Sequence, residues 1–267
     1  MTNGIAFKDG AWVETGRTGW ALGDRGGLLG DGLFETMHAI KGKVARFDRH
    51  MTRLGRSATE LGLPGPREAE GIAEIIGELV ARNALKDAIV RLTLTAGPGP
   101  RGLDRPDEMV PSLTLTAAPR AKPPASVSLA LSEIRRSPAS LAARHKTLSY
   151  IDNVQARRQA RGQGADMALL TDTRGHLSGC DSANLFWLRG GEVYTPATAC
   201  GVLAGTVRAE ILDSMPVEVG AYPVEMLGEA EAVFVTNAAF GAVPVTTLDG
   251  RPLGTGELPA RIKALFS

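Results

Sequence analysis

Apolar and polar residues alternate along the first half of the chain with two different periods. Residues 90–95 alternate valine or leucine with arginine or threonine, which is the period of a half-buried strand, and residues 113–115 repeat it. Before them, apolar residues recur at helical spacing on either side of a Pro-Gly-Pro break at 64–66: Met51, Leu54, Ala58 and Leu61, then Ile72, Ile75, Ile76, Leu79 and Val80. The pattern predicts two helices beside a sheet.

A proline-rich stretch separates this half from the rest of the chain. Pro119, Pro123 and Pro124 lack the backbone N–H that a sheet requires, which predicts an extended linker over residues 119–126. The predicted domains are residues 1–118 and 127–267. In the second, the pattern predicts a strand at 127–131, a helix at 152–161, short strands near Met167 and Leu185, and a helix from about Thr206. The expected fold class is α+β with two domains.

Composition narrows the class of partner. The chain carries 30 basic and 29 acidic residues, a balance that argues against binding nucleic acid or an anionic membrane and favours a small-molecule partner. No apolar run is long enough for a signal peptide or a membrane span, so we expect a cytoplasmic protein. Two cysteines and four histidines without metal-ligand spacing predict neither a disulfide framework nor a metal site.

Lys146 is the first candidate for chemistry. It stands with Arg144 and His145 just ahead of a predicted helix, and nearby positive charge or burial lowers the pKa of a lysine amine toward the range in which it is a nucleophile. The alternative is an ordinary solvated lysine, which composition alone favours.

An ordered series of motifs favours a reactive Lys146 over a solvated surface lysine. The motifs are residues 30–36 (GDGLFET), 50–54 (HMTRL), Lys146 followed by Tyr150, Asn153 and Ala156, 181–187 (DSANLFW) and 201–208 (GVLAGTVR). Their order resembles the fold type IV pyridoxal 5'-phosphate (PLP) enzymes, the class IV aminotransferase family. The resemblance implies a small α/β N-terminal domain, a larger barrel-like α/β C-terminal domain, and PLP held as a Schiff base on Lys146.

The same resemblance implies roles for other residues. Arg53 would bind the cofactor phosphate, for which a guanidinium fork is chemically suited. Further cofactor-binding residues would be Tyr150 near the phenolic oxygen, Ser182 on the strand beneath the ring, and Gly205, Thr206 and Val207 in a phosphate cup. A glycine leading into a helix presents backbone N–H groups and the positive end of the helix dipole to an anion.

The chain departs from the family at Gly179. Members usually have a glutamate there that pairs with the protonated pyridine nitrogen. Without it, the ring stabilises a carbanion less well, which favours a reaction with another driving force, such as aromatisation. Asp181 lies two residues along, so on a regular strand it faces the same side and could reach the nitrogen.

Two further segments resemble 4-amino-4-deoxychorismate lyases more than other members. They are residues 236–241 (TNAAFG), which include Asn237, and the loop 97–102 (GPGPRG), which includes Arg101. The resemblance implies that Arg101 and Asn237 bind an amino substrate that bears carboxylates, and that Arg101 comes from the neighbouring subunit of a homodimer. Leu103 stands where D-amino acid transaminases have a nearby histidine.

The implied reaction belongs to folate biosynthesis. Lys146 acts as a general base at the ring carbon that bears nitrogen, pyruvate leaves, and 4-aminobenzoate is formed. One alternative is a class IV aminotransferase for D-amino or branched-chain amino acids, which shares Lys146 and the phosphate site. A remote alternative is a PLP-binding protein with little turnover.

Overall fold

The computed structural model describes residues 4–66 and 69–266, which form two compact units. The first unit runs to Ala121 and also includes His145–Ser149, and the second comprises Lys122–Arg144 and the chain from Tyr150 onward. The predicted boundary at 119–126 did not anticipate that a segment beyond it would return to the first unit. Helices and strands mix in both units, which confirms the expected α+β two-domain fold class.

The first unit contains one antiparallel sheet and three helices. In chain order its elements are β1 (Ile5–Lys8), β2 (Ala11–Glu14), α1 (Arg25–Leu29), β3 (Gly32–Ile40), β4 (Lys43–Val44), α2 (Phe47–Glu60), α3 (Ile72–Arg82), β5 (Asp87–Thr95) and β6 (Ser112–Pro119). The strand order is β2-β1-β6-β5-β3-β4. The predicted strands and both predicted helices are confirmed.

Alternation along β3 and β5 builds the core of this unit. Leu33 and Met37 on β3 pair across the sheet with Leu94 and Val90 on β5, and all four side chains are at most 1% exposed. They pack against the apolar faces of α2 and α3, including Leu54. The opposite face of these strands carries the ring of Phe34 together with polar side chains such as Arg91 and Thr93.

The second unit is built on a mixed sheet of nine strands. Its elements are β7 (Val127–Arg136), α4 (Leu141–Arg144), α5 (Ile151–Gly162), β8 (Met167–Asp172), β9 (Leu177–Cys180), β10 (Asn184–Arg189), β11 (Glu192–Pro196), α6 (Thr206–Ser214), β12 (Glu218–Gly220), β13 (Ala232–Asn237), β14 (Gly241–Leu248), β15 (Arg251–Pro252) and α7 (Ala260–Leu265). The strand path is β12-β11-β10-β13-β14-β7-β8-β9, with β15 beside β14. Because β9 also lies against β10 and β11, the sheet curls in a barrel-like manner.

Small and aromatic side chains position the helices of this unit. Ala156 and Ala160 of α5 pack against Ala130 and Ala168 on β7 and β8, so the helix approaches the sheet closely. The rings of Phe186 and Phe234 stack 5.2 Å apart beneath α6. No helix within the described ranges has both the length and the apolar character needed to cross a membrane.

Candidate active site

Lys146 lies two residues after the end of α4 but groups with the first unit. Its carbonyl accepts a hydrogen bond from the amide of Phe34 at 2.9 Å, and the amide of Leu148 donates to the carbonyl of Gly32 at 3.0 Å. The segment therefore continues the sheet along β3. The Lys146 side chain is half-buried, with Nζ 4.2 Å from the centre of the Phe34 ring. Backbone pairing thus holds the lysine on a rigid element.

A second cation contacts the same aromatic ring. Cζ of Arg91 on β5 lies 3.9 Å from the centre of the Phe34 ring. Of the cations that flank Lys146 in the sequence, Arg144 is exposed, and His145 is buried with Nδ1 3.0 Å from Ser57 Oγ on α2. The positive group that shares a ring with Lys146 is Arg91, which the strand pattern marked only as a polar position.

Arg53 belongs to a buried ionic cluster between α2 and β3. Its Nε and Nη2 donate to the two carboxylate oxygens of Glu35 at 2.8 and 2.5 Å, and His50 Nδ1 lies 2.7 Å from Glu35 Oε2. Burial raises the pKa of Glu35, but the hydrogen bonds and charges of His50 and Arg53 outweigh burial and hold that pKa below its ordinary value. Glu35 and His50, to which the sequence assigned no role, fix the orientation of Arg53.

Helix α6 begins at Gly205 without a side-chain cap. Gly205, the N-cap residue, forms no side-chain hydrogen bond to the first turn, where Thr206 and Val207 are buried. A Cβ at Gly205 would stand 1.9 Å from Asn184 Oδ1, so only glycine fits. Asn184 in turn donates to the carbonyl of Leu203 at 2.9 Å and holds the preceding loop. The start of this nine-residue helix is therefore suited to an anion.

A buried hydroxyl lies on the same side of the sheet. Thr236 on β13 pairs directly with Asn184 on β10, so their side chains share a face. Thr236 is 1% exposed, and within residues 4–66 and 69–266 its Oγ1 has no hydrogen-bond partner. A buried hydroxyl left unsatisfied costs about 1–3 kcal/mol, so a bound polar group is the expected partner.

Gly179 adopts a left-handed backbone conformation, with φ +84°. The group beside it is an arginine: Arg136 Nη1 and Nη2 donate to the carbonyls of Ser178 and Cys180, on either side of Gly179, at 2.7 and 2.8 Å. A Cβ at Gly179 would stand 3.9 Å from Arg136 Nη1 and 3.1 Å from the carbonyl oxygen of Ala183. The position of Gly179, which lacks the family glutamate, therefore has the guanidinium of Arg136 next to it.

Asp181, the suggested substitute for the missing glutamate, is engaged elsewhere. It is 2% exposed, and its carboxylate accepts hydrogen bonds from Arg157 Nε and the amide of Ala168, each at 2.7 Å. Asn153 donates to its backbone carbonyl. The same-side expectation assumed a regular strand, but Gly179 is left-handed and β9 ends one residue later.

Tyr150 is the residue just before α5, and its side chain is half-buried. The role of Tyr150 near the phenolic oxygen of the cofactor stays a prediction.

Ser182 and Asn237 meet at the end of β13. Ser182 is exposed, its Oγ accepts from Arg157 Nη2 at 2.8 Å, and its carbonyl accepts from Asn237 Nδ2 at 3.2 Å. Asn237 Oδ1 accepts from the amides of Ala239 and Phe240 at 2.9 and 3.0 Å. The Asn237 side chain thus holds a turn, and one N–H of its amide is left for the predicted contact with substrate.

Arg101 is exposed in the loop between β5 and β6. The loop is anchored near it, because the buried Arg25 donates to two loop carbonyls at 2.8 Å each and Arg105 binds Asp31 through two hydrogen bonds of 2.6 and 3.0 Å. Burial raises the pKa of Asp31, but the hydrogen bonds and charges of Arg105 and Arg25 lower it overall. The ion pairs hold the loop that carries Arg101.

One group of possible metal ligands occurs in the described part of the second unit. Side-chain atoms of Asp172, His176 and Cys200 lie within 4.8 Å of one another. Arg174 already donates to Asp172 Oδ2 at 2.6 and 2.9 Å, and the amides of Arg174 and His176 donate to Oδ1. Asp172 therefore serves the turn between β8 and β9, and sequence spacing did not reveal the group.

Comparison with known proteins assigns this arrangement to a family. The sequence profile described as amino-transferase class IV matches residues 32–248. The chain is 28% identical to a D-alanine aminotransferase of Listeria monocytogenes over 271 residues (96% of this chain, 89% of the relative). It is 27% identical to an aminodeoxychorismate lyase of Bacillus subtilis over 276 residues (98% and 93%). A branched-chain aminotransferase of Thermoproteus uzoniensis, solved with norvaline, superposes with a TM-score of 0.90 at 25% identity (99% and 93%).

These matches define a fold type IV, PLP-dependent enzyme. The chain belongs to the class IV aminotransferase family, as the ordered motifs predicted, and its cofactor is PLP. In the second unit the start of α6 is suited to an anion, and in the first unit Arg53 and Lys146 carry the guanidinium and the amine that binding of a phosphate and of an aldehyde require. Because relatives with different reactions match at 25–28% identity, similarity alone does not distinguish lyase from aminotransferase.

Proposed function

We propose that this enzyme is a lyase that converts 4-amino-4-deoxychorismate to 4-aminobenzoate and pyruvate, a step of folate biosynthesis. The observation that carries the proposal is the surroundings of Gly179. The residue offers no carboxylate, and the nearest acid along the chain, Asp181, is bound by Arg157 and a backbone amide. An enzyme without an acid for the pyridine nitrogen is better suited to an elimination that gains aromaticity than to transamination, which gains nothing comparable.

Several of the proposed cofactor-binding residues have contacts that support their roles. When bound, PLP supplies the electron sink for the reaction. Lys146 binds it and then moves a proton. Arg53, aimed by Glu35, and the first backbone amides of α6, those of Thr206 and Val207, hold the phosphate. Tyr150 and Ser182 complete the cofactor site as proposed from the sequence.

Lys146 carries the proton through the reaction. It removes the proton from the ring carbon that bears the amino nitrogen, and a proton returns to the methylene carbon of the enolpyruvyl group as its bond to the ring breaks. The fragment leaves as pyruvate, and the remaining ring is aromatic, so atoms and charges balance without an added oxidant or reductant.

The carboxylates of the substrate require cationic partners. Arg91 is one candidate because its guanidinium contacts the same Phe34 ring as Lys146. Arg101 is the other, as proposed from the lyase-like loop. Asn237 contributes the second N–H of its side-chain amide, since Nδ2 donates to Ser182 and Oδ1 accepts from the turn. Two cations suit a dicarboxylate better than a simple amino acid.

We further propose that the enzyme is a cytoplasmic homodimer in which Arg101 serves the neighbouring subunit. Leu22, Leu28 and Leu103 on the first unit are 98%, 65% and 83% exposed. Large apolar side chains that are this exposed in one subunit are candidates for burial in a protein interface. The proposal predicts a dimer in sedimentation, and an active monomer would contradict it.

One assay tests the reaction. The purified, PLP-loaded enzyme is incubated with aminodeoxychorismate, and pyruvate and 4-aminobenzoate are measured in equal amounts. In parallel it is incubated with D-alanine or leucine and 2-oxoglutarate. Rapid transamination with no pyruvate from aminodeoxychorismate would replace the lyase proposal with the aminotransferase alternative.

A further inference from the structure

Arg136 on β7 has an unusual set of partners for a half-buried cation. Its two terminal nitrogens each donate to a backbone carbonyl, those of Ser178 and Cys180. Within residues 4–66 and 69–266 no carboxylate forms an ion pair with it, although arginines removed from water are normally paired with one. A guanidinium has five N–H donors, and these two bonds use two of them. The remaining donors suit a ligand that accepts hydrogen bonds.

The position of Arg136 indicates which part of the cofactor it meets. Its Nη1 lies 3.9 Å from the point where a side chain at Gly179 would begin, which is the place that the family resemblance gives to the partner of the pyridine nitrogen. The two carbonyls that hold the guanidinium are those immediately before and after Gly179. The arginine therefore occupies the surroundings of the absent glutamate.

Neighbouring groups do not supply a competing acid. The charged or ionisable groups that act on Arg136 are Tyr150, Cys180, Asp181 and Asp152, of which only two are carboxylic acids. Asp181 is engaged by Arg157 and the amide of Ala168, and in the part of the chain that the structure describes Asp152 forms no ion pair with Arg136, whose hydrogen bonds go to the two carbonyls. Burial lowers the pKa of Arg136, with these groups opposing it, but a guanidinium remains protonated in proteins.

We propose that Arg136 replaces the family glutamate as the partner of the pyridine nitrogen and donates a hydrogen bond to it. Arg136 can donate a hydrogen bond to the pyridine nitrogen only while the lone pair of that nitrogen is free. The positive charge of the arginine also disfavours protonation of the ring, because protonation would place a second positive charge beside it. Arg136 thus keeps the ring nitrogen unprotonated, whereas a glutamate keeps it protonated. The inference rests on the proposed placement of the cofactor and explains why elimination is favoured over transamination.

The first test needs no variant and no turnover. PLP labelled with ¹⁵N in the ring is bound to the wild-type enzyme, and the ¹⁵N chemical shift is followed from pH 6 to 9. We expect the shift of an unprotonated pyridine throughout. A protonated nitrogen at neutral pH would overturn the proposal, whether or not any Arg136 variant folds.

The second test assigns the effect to Arg136. The 1-deaza analogue of PLP, in which a C–H group replaces the ring nitrogen, should bind the wild-type enzyme about 10-fold more weakly than PLP, the size of one charge-assisted hydrogen bond. In Arg136→Met the ratio should fall to near 1. Arg135→Met, on the same strand but exposed, should retain the wild-type ratio. An unchanged ratio in Arg136→Met would overturn the assignment.

The outcomes separate this inference from the proposed function. Lyase activity with a protonated nitrogen would leave the function standing and remove the role of Arg136. Transaminase activity with an unprotonated nitrogen would remove the proposed function and leave the role of Arg136 standing. Failure of the enzyme to bind PLP at all would overturn both.

Discussion

Replacing Glu35 with glutamine should destabilise the first unit strongly and loosen cofactor binding. Arg53 and Glu35 are 8% and 1% exposed, and the carboxylate receives both the arginine fork and His50. A glutamine has one acceptor oxygen, so its NH₂ group must face a donor of Arg53 or His50. Breaking one partner of a buried ion pair costs about 3–5 kcal/mol. We expect a loss of that size in the free energy of unfolding.

The matched control is Glu78→Gln. Glu78 pairs with Arg82 one turn along α3 at 2.6 Å, but both side chains are about half exposed, and such pairs contribute about 0.3–0.5 kcal/mol. Urea unfolding of the cofactor-free proteins gives both free energies, and titration with PLP gives the affinities. The reasoning would be refuted if Glu35→Gln lay within about 1 kcal/mol of wild type, since the Glu35–Arg53 pair would then contribute no more than a surface pair.

The same cluster predicts how stability depends on pH. Burial raises the pKa of Glu35, but the hydrogen bonds and charges of His50 and Arg53 more than offset it, so the folded-state pKa lies below the ordinary value. The stabilisation is therefore fully present above the pKa of the unfolded chain and is lost as pH falls through the folded-state value. Urea midpoints measured from pH 7 down to pH 3 should fall more steeply for wild type than for Glu35→Gln. Parallel curves would contradict the assignment.

Three further substitutions test the site. Lys146→Ala should abolish turnover and the visible absorption of lysine-linked PLP; borohydride reduction and peptide mapping that placed the pyridoxyl group on another lysine would contradict it. Gly205→Ala should weaken PLP binding at least about 10-fold because its Cβ would displace Asn184, whereas Gly162→Ala, with nothing within 4 Å, should not. Arg101→Ala should raise KM for aminodeoxychorismate about 10-fold, for the loss of one charge-assisted hydrogen bond, with an unchanged urea midpoint; an unchanged KM would remove its role.

Periodicity was sufficient for much of the fold. The strand at 90–95 and the helix at 152–161 were predictable because each element buries one face, and burial imposes a period on the sequence. The return of 145–149 to the first unit was not predictable in this way. It depends on two backbone hydrogen bonds to β3, from Phe34 to Lys146 and from Leu148 to Gly32, and backbone pairing leaves little trace in residue type.

The candidate site, like the fold, was predictable only where the sequence itself carries the signal. Motifs pointed to Arg53, but its partner Glu35 lies 18 residues away and is chosen by the packing of α2 on β3. Arg91 and Arg136 were missed because each acts through a tertiary neighbour, the Phe34 ring in one case and the carbonyls around Gly179 in the other. The engagement of Asp181 by Arg157 and the amide of Ala168 was not predictable either, because strand alternation does not apply where Gly179 turns left-handed.

The structure around Gly179 predicts what Gly179→Glu would do to stability. A left-handed conformation costs a residue other than glycine about 1–2 kcal/mol, and the new Cβ would press on the carbonyl oxygen of Ala183 at 3.1 Å. Some loss of stability is therefore expected for any side chain. Gly179→Gln carries the same steric cost without the charge and is the matched control.

A carboxylate at this position would begin 3.9 Å from Arg136 Nη1, so it would form an ion pair with that arginine while approaching the pyridine nitrogen. Neutralising Arg136 and supplying an acceptor both favour a protonated ring. We therefore expect lyase activity well above transaminase activity in the natural enzyme, and a rise in transamination in PLP-loaded Gly179→Glu but not in Gly179→Gln, with both reactions assayed at one pH. Equal transamination in the two variants would show that shape, rather than charge, sets the balance at this position.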